Sequence, residues 1–160
     1  FLVCIGSDDA FIRYGAYVSM YDYILDAIDS LENKALLIRR ACETPGTLFA
    51  SMGAALKMDP LKIDIAEFWK VRGCPLAKAL RQKFKKSKHF PSKKFKCVYS
   101  EELLENKGKD TFQETTEALP EHDWHTAKVH TNGTIAHTTA IFGFMLAGLV
   151  IQDIIQKEEA

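Results

Sequence analysis

Apolar residues fall into short runs separated by polar, turn-prone stretches, and the spacing within each run predicts an element. Tyr23-Ile24-Leu25 with Ala27 and Ile28 is nearly continuous, as expected of a strand covered on both faces in a parallel sheet. It ends in Asp29-Ser30. From Glu32 to Cys42, Ala35, Leu36, Leu37 and Ile38 give a helical stripe, and Arg39 and Arg40 suit the negative end of its dipole. Pro45-Gly46 stops that helix and Thr47–Ala50 resumes an extended pattern, so strand, helix and strand follow in the order of a βαβ unit. Ile63 and Ile65 alternate with Lys62 and Asp64, predicting a strand over 62–68. Pro75 opens a helix with Leu76, Ala79 and Leu80 on one face and Phe84 a turn further on. Lys96–Ser100 reads as another strand. The final helix, about Ile135 to Lys157, is apolar on most faces until Gln152-Asp153, which predicts burial by the sheet or by a second subunit. The fold class is α/β.

The remaining stretches are less regular. Phe1–Ile5 fits a strand, Gly6-Ser7-Asp8-Asp9 a turn and helix N-cap, and the residues through Tyr17 a short helix. Ser51-Met52-Gly53-Ala54-Ala55 is small and turn-prone, as needed beside a ligand or another backbone, and equally fits a plain loop. Residues 101–123 carry eight acidic side chains against Lys107 and Lys109, with Gly108 and Pro120 breaking any pattern. They are expected to form a mobile acidic loop. Trp124–Val129 reads as an extended segment ahead of a turn at Asn132-Gly133.

A chain of 160 residues can bury one sizeable core. Basic and acidic residues number 21 each, so only local charge bears on partners. Cys4, Cys42, Cys74 and Cys97 are scattered without zinc-type spacing, which fits reduced thiols in a cytoplasmic protein. The longest apolar run, Ala140–Ile151, is 12 residues, short of the ~20 that cross a bilayer. No secretion signal opens the chain, and the absence of an initiator Met suggests that it begins inside a longer one.

Asp29 is the leading functional candidate. A carboxylate at the end of a buried strand, ahead of a helix, points into the crevice where open α/β sheets bind ligands. Capping of the helix by Asp29 or Ser30 explains the same spacing. Arg81, Lys83, Lys85, Lys86, Lys88, Lys93, Lys94 and Lys96 form a basic tract without an acidic residue, interleaved with Phe84, His89, Phe90 and Phe95. Such a tract can neutralise phosphates and stack bases, and a solvated helix and loop account for it equally. His122, His125, His130 and His137 are irregularly spaced and read as unrelated histidines rather than metal ligands. Cys97, beside Lys96, is the one thiol with nearby positive charge. A buried strand cysteine fits it better. Neither Gly-x-Gly-x-x-Gly nor Gly-x-x-x-x-Gly-Lys-Ser/Thr occurs.

Several motifs in order resemble one family: Asp26-Ala27-Ile28-Asp29-Ser30 with Lys34-Ala35, Ser51-Met52-Gly53-Ala54, Asp59-Pro60, Asp64-Ile65, Pro75-Leu76-Ala77 with Leu80-Arg81, Cys97-Val98-Tyr99-Ser100-Glu101, and Thr139-Ala140-Ile141-Phe142-Gly143-Phe144. Together they are similar to the ThiF/HesA/MoeB (ubiquitin-activating-like) superfamily and, within it, to the tRNA threonylcarbamoyladenosine dehydratases. The resemblance runs from about Tyr21 to Ile154. It implies the C-terminal half of a Rossmann-like nucleotide-binding sheet with a long C-terminal helix that helps form a homodimer. It also implies an ATP-dependent activation of the threonylcarbamoyl carboxylate on tRNA, followed by loss of water to a cyclic form. Asp29 would then hold ATP phosphates through Mg, Lys34 would face the nucleotide, and the basic tract would contact the tRNA backbone. The family's Gly-rich turn, Arg and Lys precede the matched region and are not in this chain, so the isolated chain is expected to be inactive. Some relatives carry a cysteine before the last helix, where this chain reads Lys128-Val129-His130-Thr131-Asn132-Gly133. Direct attack of the substrate nitrogen on the activated carboxylate is therefore expected, rather than a thioester. Two alternatives remain open at this point: adenylation of a ubiquitin-like sulfur-carrier protein, and a non-catalytic RNA- or protein-binding scaffold.

Overall fold

The computed structural model of the chain describes residues 2–4, 18–106 and 132–159. Five strands, β1 (Leu2–Cys4), β2 (Tyr23–Asp26), β3 (Thr47–Ser51), β4 (Ile63–Glu67) and β5 (Lys96–Ser100), form one sheet in the order β1-β2-β3-β5-β4. The first four in that order run parallel, and β4 closes the sheet antiparallel to β5, with Ile65 opposite Val98. Helices α1 (Leu31–Glu43), α2 (Pro75–Ser87) and α3 (Ala136–Glu158) cover it. The β2-α1-β3 crossover is the βαβ unit expected from the sequence.

Strand periodicity sorts the core into two layers. Ile24, Leu48, Ala50 and Cys97 pack with Leu37, Ile38, Leu80 and Phe84 of α1 and α2. Their neighbours Tyr23, Phe49 and Val98 face the other way, onto Phe142, Leu146, Leu149 and Val150 of α3. By length and composition α3 could span a bilayer. Its inner face is buried on the sheet, and its last turns are pinned there. The Tyr23 hydroxyl donates to Asp153 at 2.8 Å, and the Lys157 ammonium sits 2.7 Å from Asp153 and 3.2 Å from Thr47 Oγ1.

Two details fix the chain path. Gly73 adopts φ +61°, and a Cβ there would come within 2.6 Å of the Glu101 carbonyl oxygen, so the return from β4 to α2 requires glycine. On the outermost strand, the Asp64 carboxylate accepts the N–H of Ile65 at 2.7 Å.

Most boundaries of the described elements match the sequence expectation within a residue. The exception that matters is β2, which ends at Asp26 rather than at Ile28. The Asp26 carboxylate accepts the Ile28 N–H at 3.0 Å, turning the chain out of the ladder as Asx side chains do. The expected turn at Gly6–Asp9, the helix through Tyr17, the acidic stretch beyond Asn106 and the segment Trp124–Val129 lie outside the described residues. Glu101–Asn106 carry no regular structure.

Candidate functional site

The turn between β2 and α1 is held from both sides. Asp26 and Lys34 are fully buried and face each other at 2.9 Å, as an ion pair rather than a well-directed hydrogen bond. Asp26 takes the N–H of Ile28, and the Lys34 ammonium donates to the Ile28 carbonyl at 2.8 Å. One residue is thus gripped through both its backbone groups. Burial pushes the Asp26 carboxyl up, and Lys34 pulls it back. This corrects the expectation for Lys34, whose ammonium points into the protein and not at a nucleotide. The reason is helical phase: Lys34 lies on the same face of α1 as the buried Leu37, Ile38 and Ala41.

Asp29 emerges immediately after the clamp. It is exposed, lies three residues beyond the strand end, and has no hydrogen-bond or ion-pair partner among the described residues. Ser30 occupies the N-cap position of α1 without a side-chain cap bond. Neither residue therefore acts as a capping side chain. Asp29 instead lines a cleft of about 670 Å³ at the carboxyl ends of β2 and β3. The turn Ser51–Ala55 forms one wall, and Leu76, Thr139, Phe142 and Leu146 bring α2 and α3 to it. Among the described residues no cationic side chain lines it.

The loop after that turn is locked by a hub that the sequence did not suggest. Lys57 is buried, and its ammonium donates to the carbonyls of Ser100, at 3.0 Å, and Glu102. Burial lowers its pKa. Glu102 accepts the N–H groups of Met58 at 2.6 Å and Asp59 at 2.9 Å, which hold its carboxyl below the usual range. The start of α3 adds Thr138 Oγ1, donating to the Lys57 carbonyl at 3.3 Å, and His137 Nε2, 2.9 Å from the Met58 carbonyl.

The basic tract divides. Arg81 donates to the Phe68 carbonyl at 3.1 Å and lies over the Phe68 ring, while Lys83 pairs with Glu32 and Lys93 donates to the Thr44 carbonyl. Lys85, Lys86, Lys88, Lys94 and Lys96 are exposed and form no ion pair among the described residues. They sit at the amino end of the sheet, the opposite end from Asp29. α2 has 13 residues and begins at the cleft with Leu76, so at ~1.5 Å per residue it sets them about 20 Å away.

Cys42, Cys74 and Cys97 are free and buried, and none lines the cleft. Burial pushes the thiols of Cys42 and, further, Cys97 up, which removes Cys97 as a nucleophile. Among the described residues no group of His, Cys, Asp and Glu could hold a metal ion by itself. His122, His125 and His130 lie outside those residues.

In sequence the chain is similar to the tRNA threonylcarbamoyladenosine dehydratase of Haemophilus influenzae, 31% identical over 145 residues that make up 86% of this chain and 52% of that protein. The protein of the same name from Escherichia coli is 29% identical over 147 residues, 88% of this chain and 55% of the relative. In fold it is similar to the crystal structure of E. coli tRNA N6-threonylcarbamoyladenosine dehydratase in complex with AMP, with a TM-score of 0.67 and 26% identity, covering 95% of this chain and 55% of that one. The ATP complex of that enzyme superposes with a TM-score of 0.66 at 25% identity, over 91% of this chain and 54% of that one. No protein-family model matches the chain. The chain spans about half the length of these relatives.

Proposed function

We propose that this chain, a homologue of the tRNA threonylcarbamoyladenosine dehydratases in sequence and in fold, is the carboxyl-terminal half of an ATP-dependent enzyme of that activity. The observation that carries the reading is the Asp29 carboxylate, exposed and without a partner among the described residues, in the cleft where the parallel strands end, the place at which such sheets take nucleotides. The cleft's volume, about 670 Å³, falls in the range of small-molecule sites. Its apolar lining, Leu76, Phe142 and Leu146, suits a base or ribose.

The donor set fits magnesium. That ion keeps several waters and is bound through one or two carboxylates plus substrate phosphates, and Asp29 is one such carboxylate. When bound, Mg would supply Lewis-acid polarisation of a phosphate oxygen. This chain's own contribution is positional. The Asp26–Lys34 clamp holds Asp29 at the cleft, and the Lys57–Glu102 hub holds the far wall. Cys42, Cys74 and Cys97 are buried and do not line the cleft, which supports direct attack of the substrate nitrogen on the activated carboxylate.

A triphosphate also needs cationic partners, and the described residues of the cleft lining include none. Those groups come from a preceding segment in the full-length enzyme. The isolated chain therefore does not bind ATP measurably, and calorimetry giving a micromolar affinity would overturn this division of labour. In the full-length enzyme Asp29→Ala abolishes turnover; unchanged product formation removes Asp29 from the mechanism. The same bare lining favours one second reading, a non-catalytic RNA-binding scaffold, which stands if the full-length protein also fails to bind ATP.

The proposed enzyme acts on tRNA, as its relatives' names support; a cytoplasmic location and a homodimer belong to the same proposal. The outward side of α3, with Phe144, Ile151 and Ile155 exposed, is the surface that supports pairing.

A further inference from the structure

Trp69 and Phe90 are 38% and 54% exposed, unusual for large aromatics with no role in the core. They come from different elements, the turn after β4 and the loop after α2, yet their ring centroids lie 6.0 Å apart at a 45° tilt. Beneath them Phe68 contacts Trp69 edge-on at 5.2 Å and stacks on Phe95 at 5.0 Å. The pair is therefore a supported platform rather than two loose side chains. At the same end of the sheet Lys70 follows Trp69 directly and Lys88 lies two residues before Phe90, and these two, with Lys85, Lys86 and Lys94, are exposed and without an ion pair among the described residues.

We infer that Trp69 and Phe90 stack unpaired bases of an RNA strand while these lysines hold its phosphates. Paired aromatics within a cationic field are how proteins grip single-stranded nucleic acid, through faces that every base offers. An acidic peptide would satisfy the lysines and leave the rings unused. The inference deepens the tRNA reading above, on which it rests, by naming the surface and the part of the RNA it takes. The platform lies about 20 Å from the cleft by the length of α2. A stacked strand rises about 3.4 Å per nucleotide, so contact with both ends requires roughly six nucleotides. A mononucleotide cannot reach both.

The test uses the whole 160-residue chain without ATP, so that it does not depend on catalysis. In a Trp124→Phe background Trp69 is the sole tryptophan, and titration with oligouridylate or a tRNA transcript quenches its fluorescence, whereas a blunt RNA duplex does not. By anisotropy with labelled tRNA transcript, Phe90→Ser weakens binding about tenfold and leaves the salt dependence unchanged. Lys88→Gln with Lys94→Gln lowers the slope of log K on log salt by about 1.5. Lys78→Gln, near the cleft end of α2, changes neither. Absence of quenching, or wild-type affinity in Phe90→Ser, overturns the platform. Intact quenching by tRNA, alongside a full-length protein that with ATP does not dehydrate tRNA bearing threonylcarbamoyladenosine, sinks the enzyme reading and leaves the platform standing.

Discussion

The two ends of the sheet handle charge in opposite ways. At the carboxyl end charged side chains are built into the frame: Asp26 against Lys34, Lys57 on two carbonyls, Glu102 on two amides, and Asp59 on the N–H of Leu61. Among the charged side chains described along the cleft, Asp29 is the one left for a ligand. At the amino end the Lys157–Asp153 pair pins α3, but Lys70, Lys85, Lys86, Lys88, Lys94 and Lys96 stay exposed without an ion pair among the described residues, near the exposed rings of Trp69 and Phe90. A reaction needs atoms held to a fraction of an ångström, which satisfied buried networks provide. Gripping a long, variable polymer needs mobile charges that keep their hydration until contact.

That contrast can be broken or sharpened by measurement. The largest effect is expected from Asp26→Ala, which strands a buried ammonium and frees the Ile28 N–H. Loss of one partner from such a pair costs about 3–5 kcal/mol, readable by urea denaturation. A loss below about 1 kcal/mol would show that the clamp is not structural. Next comes Tyr23→Phe, which removes the hydroxyl that pins α3 through Asp153 and should cost about 1 kcal/mol.

Acid follows, and its direction is fixed by the pKa shifts. Glu102 and Asp153 are held below their ordinary values of 4.5 and 3.8, by backbone amides and by Lys157 respectively. Their contributions are present above those values and fade as pH falls through the folded ones. Asp26 works the other way: burial raises it above 3.8, so its own contribution declines as pH climbs toward the raised value. Thermal melts from pH 6 to 3 should therefore fall more steeply in the native chain than in Glu102→Gln. Equal profiles would remove Glu102 from the hub. The smallest effect belongs to the amino end, where Lys85→Gln with Lys88→Gln should change stability by less than about 0.5 kcal/mol. A larger loss would mean that these lysines serve the frame as well.

Strand and helix periodicity carried the fold well, because two-sided burial of β2 and the apolar stripe of α1 are local properties. The site was legible in part. Asp29 was visible as a carboxylate after a buried strand, but the role of Asp26 was hidden, since ending a ladder two residues early depends on where its own carboxylate swings. A signal for Lys34 existed. It falls in phase with Leu37 and Ile38 on the buried stripe, and a lysine there demands a buried acid. Lys57 left no such trace, because its partners Ser100 and Glu102 are more than 40 residues away. Phe90 was legible as one of the aromatics interleaved with the basic tract, whereas Trp69 was not singled out, and it is the antiparallel return of β4 that brings the two together.

Asp64 has a consequence for how this sheet can grow. A border strand normally advertises its amides to any passing chain, the route to swapped and fibrous assemblies. Here one of those amides is already occupied by the neighbouring carboxylate. The β4 flank is thereby made a poorer template than β1, the other outer strand among the described residues. A further strand added to this architecture is directed to the β1 side.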